Sequence, residues 1–126
     1  LVREALQESG MRHQLHVCRD GVEAIDFLRN TVEPGENLRP DVVILDLNLP
    51  RRSGRDVLAE IDESPHLRTL PVAVFTSSHM ESGICAEYPR VRSVFEQKTC
   101  DFRELVQTME RIGQFAQETA RPLQQL

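Results

Sequence analysis

Three polar side chains stand where a run of apolar residues gives out: Asp46 after Val42-Val43-Ile44-Leu45, Thr76 after Val72-Ala73-Val74-Phe75, and Lys98 shortly after Val94-Phe95. A carboxylate, a hydroxyl and an ammonium brought to one edge suit phosphoryl transfer onto a carboxylate. Asp46 would be the nucleophile, Thr76 would donate a hydrogen bond to a phosphoryl oxygen, and Lys98 would supply positive charge to the others. A lone acid after four buried apolar residues is costly without such a role. The sequence contains neither a Walker loop nor GxGxxG, so the phosphoryl group must come from a partner rather than a bound nucleotide. Ser77, beside Thr76, reads equally as a residue that adjusts access to the pocket and as a solvated turn serine.

For those side chains to meet, the apolar runs must be parallel strands of one sheet, because function in open parallel sheets gathers at the carboxyl ends of the strands. The rest of the sequence supplies the elements. Leu1 to Ser9 has helical spacing and stops at Gly10. His13 to Cys18 alternates as a strand does, Arg19-Asp20-Gly21 punctuates, and Ile25 and Leu28 resume a helical stripe. Residues 31–40, with Pro34, Gly35, Asn37 and Pro40, read as a loop. Asp41 to Leu47 is a continuous branched run of strand length, as in a strand buried on both faces. Gly54 to Ile61 places Val57, Leu58 and Ile61 on one helix face, and Ser64-Pro65 closes it. Pro71 introduces the next strand, Met80 to Ala86 is a weak helix, and Val91 to Gln97 a weak strand. Asp101, a candidate N-cap, opens a long helix to about Ala116 whose Phe102, Leu105, Met109, Ile112 and Ala116 form a core stripe. Four strands and five helices in alternation mean an α/β doubly wound parallel sheet. Because the chain opens on a helix whose Leu1, Val2, Ala5 and Leu6 need a sheet to cover, a further strand is expected before Leu1.

The composition agrees. The 126 residues suit one domain, and 40% hydrophobic with 28% charged residues supports a packed core. A net charge of −5, with basic residues interleaved among acids, disfavours nucleic-acid binding. Apolar runs such as Val42 to Leu45 are far too short to span a bilayer, and no leader opens the chain, so it reads as soluble and cytoplasmic with no membrane partner. Cys18, Cys85 and Cys100 lack metal or disulfide spacing and read as free, mostly buried thiols. His13, His16, His66 and His79 lack paired spacing and read as surface residues, and Arg51-Arg52 as a solvated loop.

Taken together these segments resemble the receiver domain of response regulators, the phospho-accepting half of two-component signalling. Arg19-Asp20-Gly21-Val22-Glu23-Ala24 is similar to the family's turn into its second helix. Residues 39–50, RPDVVILDLNLP, resemble the signature around the phospho-acceptor, with Gly54 where the next helix begins. Leu70-Pro71-Val72-Ala73-Val74-Phe75-Thr76 resembles the strand that ends in the switch threonine, and Lys98 stands at the family's lysine position. The Arg51-Arg52-Ser53-Gly54-Arg55 segment and the Gln114-to-Pro122 tail look most like the single-domain regulators that partner bacterial phytochromes.

The resemblance implies a flavodoxin-like fold, five-stranded in the family, with residues 1–118 as an N-terminally truncated receiver domain and residues 119–126 as a tail. It implies a sensor histidine kinase as partner, Asp46 as phospho-acceptor, Thr76 and Lys98 as the phosphoryl-stabilising pair and Phe95 as the switch aromatic, here without a phenolic hydroxyl. It also implies Mg²⁺. The two adjacent acids that the family places at the end of its first strand are not in this sequence. The Asp46 carboxylate and the Asn48 backbone carbonyl remain as ligands, so weak or absent Mg²⁺ binding is expected. Thr99 follows Lys98 where the family usually has a cis-proline, so that bond is trans or strained.

Two other readings are open. A degenerate receiver would bind partners independently of phosphorylation. A haloacid-dehalogenase-like phosphatase also uses a strand-end aspartate but needs a second acid two residues on, where this sequence has Asn48. The receiver is read as a signalling module rather than an enzyme. Phe115, off the core stripe, with Leu123 and Leu126 in the tail, points to a homodimer built on the last helix and tail.

Overall fold

A computed structural model describes residues 2–10, 15–30, 40–48 and 53–120. In chain order these form α1 (Val2–Glu8), α2 (Gly21–Asn30), β1 (Val43–Leu45), α3 (Gly54–Glu63), β2 (Pro71–Thr76), a 3₁₀ turn (His79–Glu81), α4 (Ile84–Glu87), β3 (Arg92–Gln97) and α5 (Phe102–Ala120). The strands lie in the order β1-β2-β3, and both pairings are parallel. The register matches Leu45 to Val74, Val74 to Phe95 and Thr76 to Gln97. Parallel neighbours must be joined by crossovers, which α3 and α4 supply.

Side chains alternate across a strand, and the central strand shows it. All six residues of β2 are buried. Val72 and Val74 pack with Ile25, Leu28, Val57, Leu58, Ile61 and Ile84 from α2, α3 and α4. Ala73 and Phe75 pack with Ala5 and Leu6 of α1 and with Leu105, Met109 and Ile112 of α5. Helices therefore cover both faces, as the doubly wound reading requires. Pro71, which lacks a backbone donor, is tolerated as the first residue of its strand.

The helix ends have local causes. Gly10 takes φ of +76°, a conformation few other residues adopt, just after α1 ends. Ser53 and Asp56 form a reciprocal capping box at the start of α3: the Asp56 N–H donates to Ser53 Oγ (3.3 Å) and the Ser53 N–H to Asp56 Oδ2 (3.0 Å). Asp101 caps α5 as expected, its Oδ1 accepting from the N–H groups of Arg103 (2.8 Å) and Glu104 (3.2 Å).

Several expectations need correction. Residues 15–18 are not in a strand, and the described sheet has three strands rather than four. Alternating residues provide apolar positions, but a strand also needs a neighbour for its ladder, and none of the described strands pairs with this segment; Leu15 packs instead on the α1–α5 face. The strand expected over 41–47 narrows to Val43–Leu45. The helix expected from Met80 divides into the 3₁₀ turn and a single turn of α-helix, the two separated by Ser82 and Gly83. The long helix continues to Ala120. Phe102 is 40% exposed rather than core, because residues 101–104 are all exposed and the buried stripe starts at Leu105. The thiols are free but not deeply buried: Cys18 and Cys85 are half-buried and Cys100 is exposed. Burial, then Glu23 and Asp20, push the Cys18 thiol above its ordinary value.

Candidate functional site

The three strand ends bring the expected residues together. Leu45, the last residue of β1, is buried, and the next residue, Asp46, emerges with its side chain 31% exposed. Its Oδ1 accepts the Asn48 N–H at 2.9 Å. Its Oδ2 accepts from Lys98 Nζ at 2.5 Å, and the Lys98 side chain is 39% exposed. The ammonium also lies 5.7 Å from the centre of the Phe75 ring, within reach of a cation–π attraction. Lys98 is anchored at its backbone too, since its N–H donates to the Thr76 carbonyl at 2.8 Å. It is the sole lysine among the 15 basic residues of the chain.

Thr76 is fully buried at the end of β2, and its Oγ1 accepts the Ser78 N–H at 3.5 Å. Phe95 is half-buried against the face covered by α2, α3 and α4, beside its ladder partner Val74. Ser77 is exposed, and its carbonyl accepts from Gln97 Nε2 at 3.5 Å. The peptide bond between Lys98 and Thr99 is trans.

Gly54 was expected where the next helix begins, and α3 starts there, but two contacts at this site were not read from the sequence. Gly54, buried at the first position of α3, donates its N–H to the Leu47 carbonyl at 3.2 Å, and a Cβ there would lie 2.5 Å from the Asp46 carbonyl oxygen and 2.6 Å from the Leu47 Cα. The helix start is thus seated directly on the backbone that carries the carboxylate, which only glycine permits. Its sequence signal was present in a glycine at the first helical position, where helix formers are otherwise preferred. Next to it, Arg55 reaches Glu87 (3.2 and 3.3 Å) and Glu81 (3.7 Å), linking the start of α3 to the segment after β2. Nothing in the spacing of these residues announces that pairing.

The candidate metal ligands are Asp46 and the Asn48 backbone carbonyl. Among the described residues no three His, Cys, Asp or Glu side chains are grouped to hold a metal ion, and each Asp46 oxygen already has a hydrogen-bond donor. Mg²⁺ requires near-octahedral oxygen coordination, and these donors alone do not supply it. Of the other residues singled out in the sequence, His16 is exposed and stacks on Phe27 with ring centres 4.1 Å apart, His66 is exposed, and Phe115 is half-buried. His13, Arg51, Arg52, Leu123, Leu126 and the His79 side chain lie outside the described residues.

Comparison with known proteins points the same way as the geometry. A profile of the response regulator receiver domain matches residues 1–110. Response regulator Rcp1 of Synechocystis sp. is 39% identical over 119 residues, covering 94% of this chain and 81% of that protein. The crystal structure of the phosphorylated cyanobacterial phytochrome response regulator RcpA is 38% identical with a TM-score of 0.76, over 95% of this chain and 86% of that one. The Mn²⁺-bound form of Rcp1 gives 37% identity and a TM-score of 0.73 over the same shares. The chain belongs to the response regulator receiver domain family, and within it is similar to phytochrome response regulators.

Proposed function

We propose that the protein accepts a phosphoryl group on Asp46 from a phosphohistidine of a sensor histidine kinase, a bacterial phytochrome being the kinase suggested by its relatives. The observation that carries this reading is the Lys98–Asp46 contact at the shared edge of the strands, with Thr76 at the end of the strand between them. One Asp46 carboxylate oxygen attacks phosphorus. The P–N bond to the donor imidazole breaks, its electron pair returns to the ring nitrogen, and an acyl phosphate forms on Asp46. Lys98 follows the new charge onto a phosphoryl oxygen. Thr76 turns its hydroxyl from accepting the Ser78 N–H to donating to another, and Phe95 carries the change to the surface of β3. The chain acts by protein contact in the cytoplasm, without enzymatic activity of its own, as a homodimer through α5 and residues 121–126.

The test is intact mass after treating the full-length gene product with acetyl phosphate in the presence of Mg²⁺. One added phosphoryl group is expected, and Asp46→Asn should abolish it; a gain that survives Asp46→Asn refutes the assignment. Among the described residues no further carboxylates group with Asp46 to hold a metal ion, which favours one second reading, a binding module that needs no phosphorylation, and absence of any mass gain would exclude the first reading. Sedimentation of the protein against a version ending at Gln114 tests the dimer, since an unchanged dimer in the shorter form would exclude the tail as its interface.

A further inference from the structure

Lys98 sits at the start of a four-residue connection, Lys98-Thr99-Cys100-Asp101, between the end of β3 and the start of α5. The connection contains no proline, yet it must hold a long, rotamer-rich side chain on Asp46. Its restraint comes from side chains. Thr99 Oγ1 donates to Glu104 Oε2 at 2.7 Å and accepts the Asp101 N–H at 3.1 Å. In an ordinary capping box the glutamate at the third helical position takes the N-cap N–H directly. Asp101 and Glu104 occupy those two positions here, and the Thr99 hydroxyl is inserted between them as a relay. Capping alone does not need this insertion, but insertion fastens the residue after Lys98 to α5. The helix is itself fixed, by buried Leu105, Met109 and Ile112 against the sheet and by the two-pronged pairing of Arg111 with Glu96 of β3 (2.8 and 3.1 Å). Thr99 and Glu104 also line, with Lys98, a cleft of about 460 Å³ between β3 and α5.

We propose that Thr99 and Glu104 are positioning residues that aim Lys98 at Asp46, an inference that rests on the phospho-acceptor reading above for its functional consequence. The Thr76 carbonyl fixes the lysine's backbone from the side of the sheet, and the Thr99–Glu104 bond fixes the following residue from the side of the helix. The ammonium then has a short reach to one carboxylate oxygen.

The sole lysine makes the test direct. Protein labelled with ¹³C and ¹⁵N only at lysine gives one set of side-chain NMR signals, all from Lys98. In the parent protein the two Hε protons should be resolved from one another, as for a side chain held in one arrangement. Thr99→Val and Glu104→Ala should collapse them to the averaged position of a free lysine, while Thr99→Ser and Glu104→Gln, which keep a donor and an acceptor, should retain the split. Asp101→Ala removes the helix cap without removing the Thr99–Glu104 bond and should lower the melting temperature with the lysine signal unmoved. In the full-length product, Thr99→Val should slow acetyl-phosphate labelling of Asp46, by up to roughly a hundredfold, the loss that a misplacement of about 1 Å can cause. A lysine signal unchanged in folded Thr99→Val and Glu104→Ala would overturn the proposal, and so would a collapsed signal with an unchanged labelling rate. Should Asp46 prove not to be phosphorylated at all, the lysine signals would still report the positioning, so the two failures are distinguishable.

Discussion

Replacing Gly54 by alanine forces a methyl group into the backbone that carries Asp46. The nearest atoms are the Asp46 carbonyl oxygen at 2.5 Å and the Leu47 Cα at 2.6 Å. Neither can rotate away, as the end of a flexible side chain could, so the start of α3 must lift by nearly 1 Å to reach ordinary contact. Lifting breaks the Gly54 N–H bond to the Leu47 carbonyl, worth about 1 kcal/mol, and strains the packing of Val57 and Leu58, for which about 1–3 kcal/mol is typical. Alanine returns up to about 1 kcal/mol of helix propensity, less at a first-turn position. The net loss is about 1–4 kcal/mol, or roughly 4–16 °C in Tm for a domain of this size. Thermal melting measures that directly, and acetyl-phosphate labelling at a temperature where both forms are folded measures the displacement of Asp46. Ser53→Ala is the control, since it removes the capping box at a cost of about 1 kcal/mol with no atom placed against Asp46. A Gly54→Ala protein as stable as the parent, or one labelled at the parent rate, would refute the close approach.

Met109→Ala should cost about 2–5 kcal/mol in denaturant unfolding, because Met109 is fully buried at the centre of the α1–α5 face. Arg111→Ala should destabilise more than Arg29→Ala: Arg111 makes two bonds to a largely covered Glu96 and a third to buried Thr108, and bonding to Glu96 raises the affinity of its guanidinium for the proton, whereas Arg29 forms an exposed bridge to Glu60 worth at most about 1 kcal/mol. The Cys18 thiol is raised above its ordinary value in the folded state, so the unfolded chain ionises first as pH rises. Stability should therefore be unaffected below the ordinary thiol value and decline between that value and the folded one, a decline absent in Cys18→Ala when unfolding is followed across alkaline pH. Magnesium titration of the present chain, followed by chemical shifts around Asp46, should show no saturable tight binding.

Asp46, Thr76 and Lys98 were legible because each follows an apolar run that marks a strand, and parallel strands bring their ends to one edge whatever the loops do. The two-faced core was legible for the same reason, since β2 is apolar at every position and α5 carries a regular stripe. Residues 15–18 of the expected strand are not in one, and Val17, on the apolar side of the alternation, is 57% exposed: alternation in sequence specifies neither burial nor the partner that a ladder needs. Phe102 was misassigned because periodicity extends a stripe to the helix end without knowing where the sheet stops beneath it. Gly54, Arg55 and the Thr99–Glu104 relay act through distances between segments or through bonds between irregular positions, and neither leaves a period in the sequence.

The face covered by α1 and α5 joins the two ends of the described chain, Val2–Glu8 against Phe102–Ala120, whereas the opposite face is assembled from residues 24 to 95. Closing a loop of that length has a larger entropy cost than closing the shorter crossovers through α3 and α4, by about 0.6 kcal/mol for each doubling of length. The two cores should therefore form in sequence: α2, α3 and α4 settle on the sheet first, and α1 docks on α5 only once α5 has been made. A substitution in Leu58 should then slow refolding, while one in Leu6 or Met109 should chiefly hasten unfolding, a contrast that stopped-flow kinetics of the two classes would read out. The first helix, and the side of α5 that it covers, would be the last part of the described chain to become rigid.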